Sequence, residues 1–197
     1  MFHKRQSYLP TRFANRVPPM IVLRLSYCVI MFIFDPSTLI LIAKAELLEP
    51  LLASIEVEVA IPQQVERECC GAKRTLDSLM IQKALDDSRI RVIAVKNRRL
   101  VARLQADFSL GRGEAEAIAL AQTEKAQILG IDDKNGINAC KLLGIGFTTA
   151  LAILVRSHEK GLIERGAAVA KLATLATHGR YKNSIIEEAR IKLEGAQ

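Results

Sequence analysis

Six carboxylates interrupt or flank apolar stretches where a burial-driven pattern would not place a charge: Asp35, Glu68, Glu114, Glu116, Asp132 and Asp133. Asp35 ends the run Phe32-Ile33-Phe34, and Asp132-Asp133 end the run Ile128-Leu129-Gly130-Ile131. A buried charge is costly unless it is compensated, and carboxylates that converge raise one another's pKa. A bound cation relieves both problems. Oxygen-only donors suit Mg2+ or Mn2+. An ion held this way orients a water, lowers its pKa and stabilises charge on a scissile phosphate. Carboxylates without a fixed His or Cys fit this chemistry better than nucleophilic catalysis. Each acid also has a plainer explanation. Acids near helix N-termini complement the macrodipole, which covers Glu114 and Glu116. Asp35, Asp132 or Asp133 can each serve as a helix cap.

The elements that must position these acids follow from the pattern of the chain. Residues 29–34 read as a core strand, and Pro36-Ser37-Thr38 as the start of an apolar helix running to about residue 52. Residues 55–61 alternate strictly, which predicts a strand exposed on one face. Pro62 opens a short helix, residues 63–70, with Val65, Glu68 and Cys69 on one face. An amphipathic helix over 75–86 runs through Leu76, Leu79, Met80 and Ala84. A strand over 90–95 and a helix over 97–106 follow. Gly113 precedes a helix carrying Glu114 and Glu116, and 127–131 is a strand. A helix over 134–143 closes at Gly144. A last strand covers 145–148, and helices cover about 149–160, 163–176 and 183–193.

Strands alternating with helices predict an α/β class fold: three layers, α/β/α, around a mainly parallel central sheet of four to five strands, with a helical C-terminal end. Ligands of such sheets bind beyond the carboxyl ends of the strands. Asp35 and Asp132 stand at two such ends. Two residues on a helix differ by roughly 200° of rotation, so Glu114 and Glu116 cannot both face one site equally.

The 197 residues suffice for one domain with a sizeable core. Residues 31–195 are expected to form it, with residues 1–30 as an N-terminal extension outside the fold. That extension holds Lys4, Arg5, Arg12, Arg16 and Arg24 and no acid, so most of the net charge of +7 belongs to it. The basic balance is therefore weak evidence for nucleic-acid binding by the domain. A basic segment before the apolar residues 20–34 is also how a secretory signal begins. Against that, Arg24 interrupts the run, no small-x-small site follows and Asp35 ends it. Fifteen residues are also short for a membrane span. Cys28, Cys69, Cys70 and Cys140 include no CxxC pair. This argues against a disulfide framework or zinc site and for a reducing, cytoplasmic setting.

Taken in order, Phe-Ile-Phe-Asp35, Pro62-x-x-Val65-x-x-Glu68, Gly113-Glu114-Ala115-Glu116-Ala117-Ile118-Ala119-Leu120-Ala121 and Ile131-Asp132-Asp133 resemble a PIN domain. The resemblance is to the VapC-like branch of prokaryotic toxin-type PIN proteins. It continues through Leu142-Leu143-Gly144-Ile145 to Gly161-Leu162-Ile163, and weakly through Gly179-Arg180-Tyr181, covering about residues 31–193. It implies a parallel sheet flanked by helices and a Mg2+- or Mn2+-dependent ribonuclease acting on RNA. It also implies a homodimer inhibited by a small antitoxin protein. Carried over, Asp35 is the first acid, Glu68 the second and Asp132 the fourth. Glu114 is the favoured third, with Glu116 as the alternative, and Asp133 assists through a water. Two positions depart from the family pattern. Thr149-Ala150 stand where a Gly-Thr pair is frequent, and Ile137 where an Arg is frequent. A catalytically weak PIN-like module that binds RNA or a partner protein is therefore the alternative expectation. A metal-dependent hydrolase of nucleotides or DNA is a third.

Arg89, Arg91, Lys96, Arg98, Arg99 and Arg103 form a basic run without an acid. RNA phosphates could bind there. The absence of an interleaved aromatic favours an ordinary solvated face. His3, His158 and His178 are scattered. Gly111-Arg112-Gly113 lacks the Lys-Ser/Thr ending of a phosphate loop and is expected to form the turn into a helix.

Overall fold

The computed structural model describes residues 30–71 and 74–195. The expectations for the segment before residue 30 therefore lie outside the described residues. In chain order the elements are β1 (Met31–Phe34), α1 (Pro36–Lys44), α2 (Leu48–Ser54), β2 (Glu58–Pro62), α3 (Gln63–Cys70), α4 (Leu76–Asp86) and β3 (Arg91–Ile93). They continue as α5 (Arg98–Phe108), α6 (Arg112–Glu124), β4 (Ile128–Gly130), α7 (Lys134–Leu143), β5 (Phe147–Thr148), α8 (Ala150–Glu159), α9 (Arg165–His178) and α10 (Asn183–Gly195).

The five strands form one parallel sheet in the order β3-β2-β1-β4-β5. Successive residues of a strand face opposite ways, and β1 supplies both cores. Phe32 and Phe34 stack at 4.3 Å between ring centroids and pack under α1, α2, α3, α4, α8, α9 and α10. Met31 and Ile33 pack under α5, α6 and α7. This is the three-layer α/β/α arrangement expected. Among the described residues no helix is long and apolar enough to cross a membrane.

The strand order reverses between β1 and β4. That switch point opens a crevice at the carboxyl edge of the sheet. Its closeness depends on Gly130: a Cβ there would lie 2.5 Å from Cδ1 of Phe34, whose ring crosses β4 at this point.

Several local expectations are corrected. The single helix over 36–52 is two helices. Glu46 adopts φ 52°, in the left-handed region, and Lys171 of α9 donates to Ala45 O at 2.9 Å and Glu46 O at 3.3 Å. A partner 126 residues away thus takes the carbonyls that end α1. β2 begins at Glu58 rather than residue 55, and residues 59–62 are all buried, because β1 and β3 flank it and helices cover both faces. In α4 the buried face is Asp77, Ser78, Ile81 and Ala84, whereas Leu76 and Leu79 are exposed. α6 starts at Arg112, so Gly113 lies inside its first turn.

Candidate active site

Asp35 is the first residue after β1 and Asp132 the second after β4, and the two strands are hydrogen-bonded neighbours in register Phe34 to Gly130. Asp35 N donates to Gly130 O at 2.9 Å, which ties the end of one strand to the other. Asp35 caps α1: Oδ1 accepts from Thr38 N at 2.8 Å and Oδ2 from Ser37 Oγ at 2.6 Å. It is fully buried, and burial pushes its carboxyl up to about 7 against the lowering effect of these donors. The charge of Asp132 raises it further. Asp132 is held by Ala150 N at the start of α8, which donates to Oδ2 at 2.9 Å, and by the Tyr181 hydroxyl, which donates to Oδ1. Burial raises its pKa, and these donors oppose the shift. The buried Thr38 Oγ1 forms no full hydrogen bond, yet it sits near enough to lower the pKa of both carboxylates.

Glu114 comes from the first turn of α6. Its Oε2 accepts from Gly111 N at 2.8 Å. Burial raises its pKa most, Gly111 lowers it, and the charges of Asp133 and Glu68 raise it further. Asp133 caps α7, with Oδ1 accepting from Asn135 N at 2.8 Å and Gly136 N at 2.9 Å. Glu68, on α3, accepts from Gln64 Nε2 at 2.9 Å. Its carboxylate lies against Gly113, where an added Cβ would be 2.8 Å from Glu68 Oε1 and 2.4 Å from Pro36 Cγ. The small residue at 113 therefore allows Glu68, the start of α1 and the start of α6 to meet.

Glu116 stands apart from this set. It is buried on another face of α6 and paired with Arg112 at 3.1 Å, beside Arg98 and Gln105 of the α5 side. The rotation of the helix turns 116 away as it turns 114 inward, so the structure does not bring Glu116 to the other acids.

A cavity of about 600 Å3 opens over the switch point. Glu114, Asp132 and Asp133 line it together with Lys44, Lys134 and Arg180. Asp35 and Glu68 lie outside its lining. The negative charge at this edge is supported by the N-termini of α1, α6, α7 and α8, whose N–H groups meet Asp35, Glu114, Asp133 and Asp132 in turn. The plain capping role and membership of the acidic edge thus coincide in the same side chains.

Among the described residues no three Asp, Glu, His or Cys side chains are gathered into a ready-made ion cage. Mg2+ is usually bound by one or two carboxylates and completes its shell with water and substrate phosphate oxygens. Asp35 and Asp132, with the unpartnered Thr38 hydroxyl near both, offer donors of that kind and number. Glu114 and Asp133 stand together on the cavity wall.

The contacts from the α9–α10 connection were not expected. Tyr181 is 49 residues from its partner Asp132, and His178 and Arg180 join the cavity wall. The pattern Gly179-Arg180-Tyr181 was the only signal in the sequence that pointed there. The basic run behaves as a solvated face in three of its six members: Arg89 pairs with Glu49, Arg91 with Glu58 and Arg103 with Asp107. His158 is structural, with Nδ1 2.8 Å from Ile163 O.

The sequence model of the PIN-domain family matches residues 31–194. No curated protein and no solved structure matches the chain. The chain belongs to the PIN-domain family, whose members are generally nucleases and typically use divalent metal ions.

Proposed function

We propose that this PIN domain is a metal-dependent endoribonuclease that hydrolyses phosphodiester bonds of RNA. The observation that carries the reading is the meeting of Asp35 and Asp132 at the β1/β4 switch point, with Glu114 and Asp133 on the wall of the same crevice. Asp35 and Asp132 would hold Mg2+ or Mn2+, which when bound polarises the scissile phosphate and acidifies a bound water. Glu114 spends Oε2 on Gly111 N, which leaves Oε1 to accept the proton of the attacking water. Burial raises its pKa above the ordinary carboxylate range, which makes it a stronger base than a free carboxylate. Glu68 reinforces the negative charge behind Glu114, and Asp133 orients water from the start of α7. Lys134, Arg180 and Lys44 line the same cavity and supply positive charge for the backbone phosphates of the strand.

The resemblance of the ordered motifs to VapC-like proteins supports a narrower reading: a toxin of a toxin–antitoxin pair, cytoplasmic and homodimeric, inhibited by a small partner protein. A second reading, a catalytically weak module that binds RNA or protein, draws on two features. Both oxygens of Asp132 are already hydrogen-bonded, and no three-ligand cage is formed among the described residues. Cleavage of mixed RNA with Mg2+ or Mn2+, set against EDTA and Asp35→Asn controls, separates the two. RNA retained but uncut with the ion present would favour the binding module. DNA and mononucleotides in parallel test the choice of RNA.

A further inference from the structure

Tyr181 belongs to the connection between α9 and α10, and the chemistry proposed above does not use it. Its hydroxyl nevertheless donates to Oδ1 of Asp132. Gly179 makes this possible. A Cβ at 179 would lie 2.2 Å from Cε2 of the Tyr181 ring and 2.8 Å from Leu175 O, so the ring folds back against backbone that only glycine leaves bare. The backbone N–H of Leu151, in the first turn of α8, lies near enough to the phenol oxygen to oppose the rise in its pKa. The preceding residue, Ala150, donates to the other oxygen of Asp132 at 2.9 Å. Both carboxylate oxygens are therefore held, one by the N-terminus of α8 and one by the phenol. Burial and the Asp132 charge push the phenol's pKa up, so it remains a donor at neutral pH. Each carboxylate oxygen keeps a further lone pair for a cation.

We propose that Tyr181 is a positioning residue: its phenol fixes Asp132 in the orientation that receives the divalent ion, which makes the α9–α10 connection part of the active site. The proposal rests on the reading of Asp132 as a metal ligand. Partners that orient a ligand are commonly worth 10–100-fold in metal affinity, and Tyr181 stands in that relation to Asp132.

The test is the affinity of the full chain for Mn2+ without RNA, measured by calorimetry on wild type, Tyr181→Phe, Asp132→Asn and the double variant. Phe keeps the ring and removes the donor. The expected result is affinity roughly 10–100-fold weaker in Tyr181→Phe and no further loss when that change is added to Asp132→Asn. The affinity for RNA in EDTA should not move. Should Tyr181→Phe fail to fold, Tyr181→Leu carries the same test, since it supplies neither a donor nor a metal ligand, and its Mn2+ affinity must fall likewise. Affinity unchanged or tighter in the Tyr181 variant, with Asp132→Asn still weakened, overturns the positioning role and leaves the metal site standing. Unchanged affinity in Asp132→Asn removes the metal site itself, and the positioning role with it.

Discussion

Asp35 and Asp132 leave adjacent parallel strands at neighbouring positions, one and two residues past the register pair Phe34 and Gly130. Ninety-seven residues of sequence separate them, and the ladder between β1 and β4 closes that distance. Because the strand order reverses between β1 and β4, no crossover helix covers this edge; Asp132 lines the cavity that opens there, and Asp35 lies buried behind it. The pairing raises the pKa of Asp35 beyond what burial alone would do.

Burial of Asp35, with the Asp132 charge adding to it, gives metal-free protein a particular pH dependence. Asp35 is raised from 3.8 to about 7 in the folded chain. Between about pH 4 and pH 7 the folded state holds a proton there that the unfolded state has released. Stability is therefore greatest at the acid end of this window and falls as the pH rises through it. The slope for one proton approaches about 1.4 kcal/mol per pH unit. Urea unfolding in EDTA should show the fall, and Asp35→Asn should flatten it. Asp132 and Glu114, raised in the same direction, leave a smaller residual slope. An equal slope in wild type and Asp35→Asn would contradict the assignment.

Glu114 and Glu116 should separate cleanly. Glu114→Gln keeps an acceptor for Gly111 N but loses the proton acceptor, and kcat should fall by about 10²–10⁴-fold. Glu116→Gln keeps the shape of the side chain and alters the pair with Arg112, which is substantially exposed and lies away from the acidic edge. It should leave kcat unchanged and cost about 1 kcal/mol or less. Equal losses of kcat in the two variants would mean that α6 is not oriented as described.

Gly113→Ala should disturb the junction of three elements. The new methyl meets the Pro36 ring and the Glu68 carboxylate. Overpacking of this kind costs about 1–3 kcal/mol. Glu68 can swing aside but the ring of Pro36 cannot, so both stability in urea and catalytic rate should fall. Unchanged stability would show that the contact is looser than drawn.

Lys134 and Arg180 line the cavity that holds Glu114, Asp132 and Asp133. Lys134→Gln and Arg180→Gln should weaken RNA binding similarly for all sequences. Each should reduce the slope of log affinity against log salt by roughly one. Filter binding in EDTA across a salt series checks this. A slope unchanged in both variants would place the RNA elsewhere.

The acids at strand ends were legible because an apolar run that stops at Asp has few explanations. Which strands stand side by side was not, since neither the apolar runs of β1 and β4 nor the alternation read over residues 55–61 specifies a neighbour. The choice between Glu114 and Glu116 was half legible. Helix rotation required that one turn away, but the start of α6 at Arg112 and the Arg112–Glu116 pair decided which. The break in α1 and the role of Tyr181 depend on contacts from α9 and from the connection after it, and no local pattern encodes partners so distant. Leu76 and Leu79 show the converse error: apolar spacing suggested a buried face, while the side of α4 that packs is the one bearing Asp77, Ser78, Ile81 and Ala84.

The most direct measurement is cleavage of RNA by purified wild-type chain, Asp35→Asn and Asp132→Asn, each with Mn2+ or Mg2+ and each with EDTA. Wild type should cleave only when the ion is present, and neither variant should cleave although both remain folded by circular dichroism. Cleavage that persists in EDTA, or at wild-type rate in both variants, would contradict the proposed function.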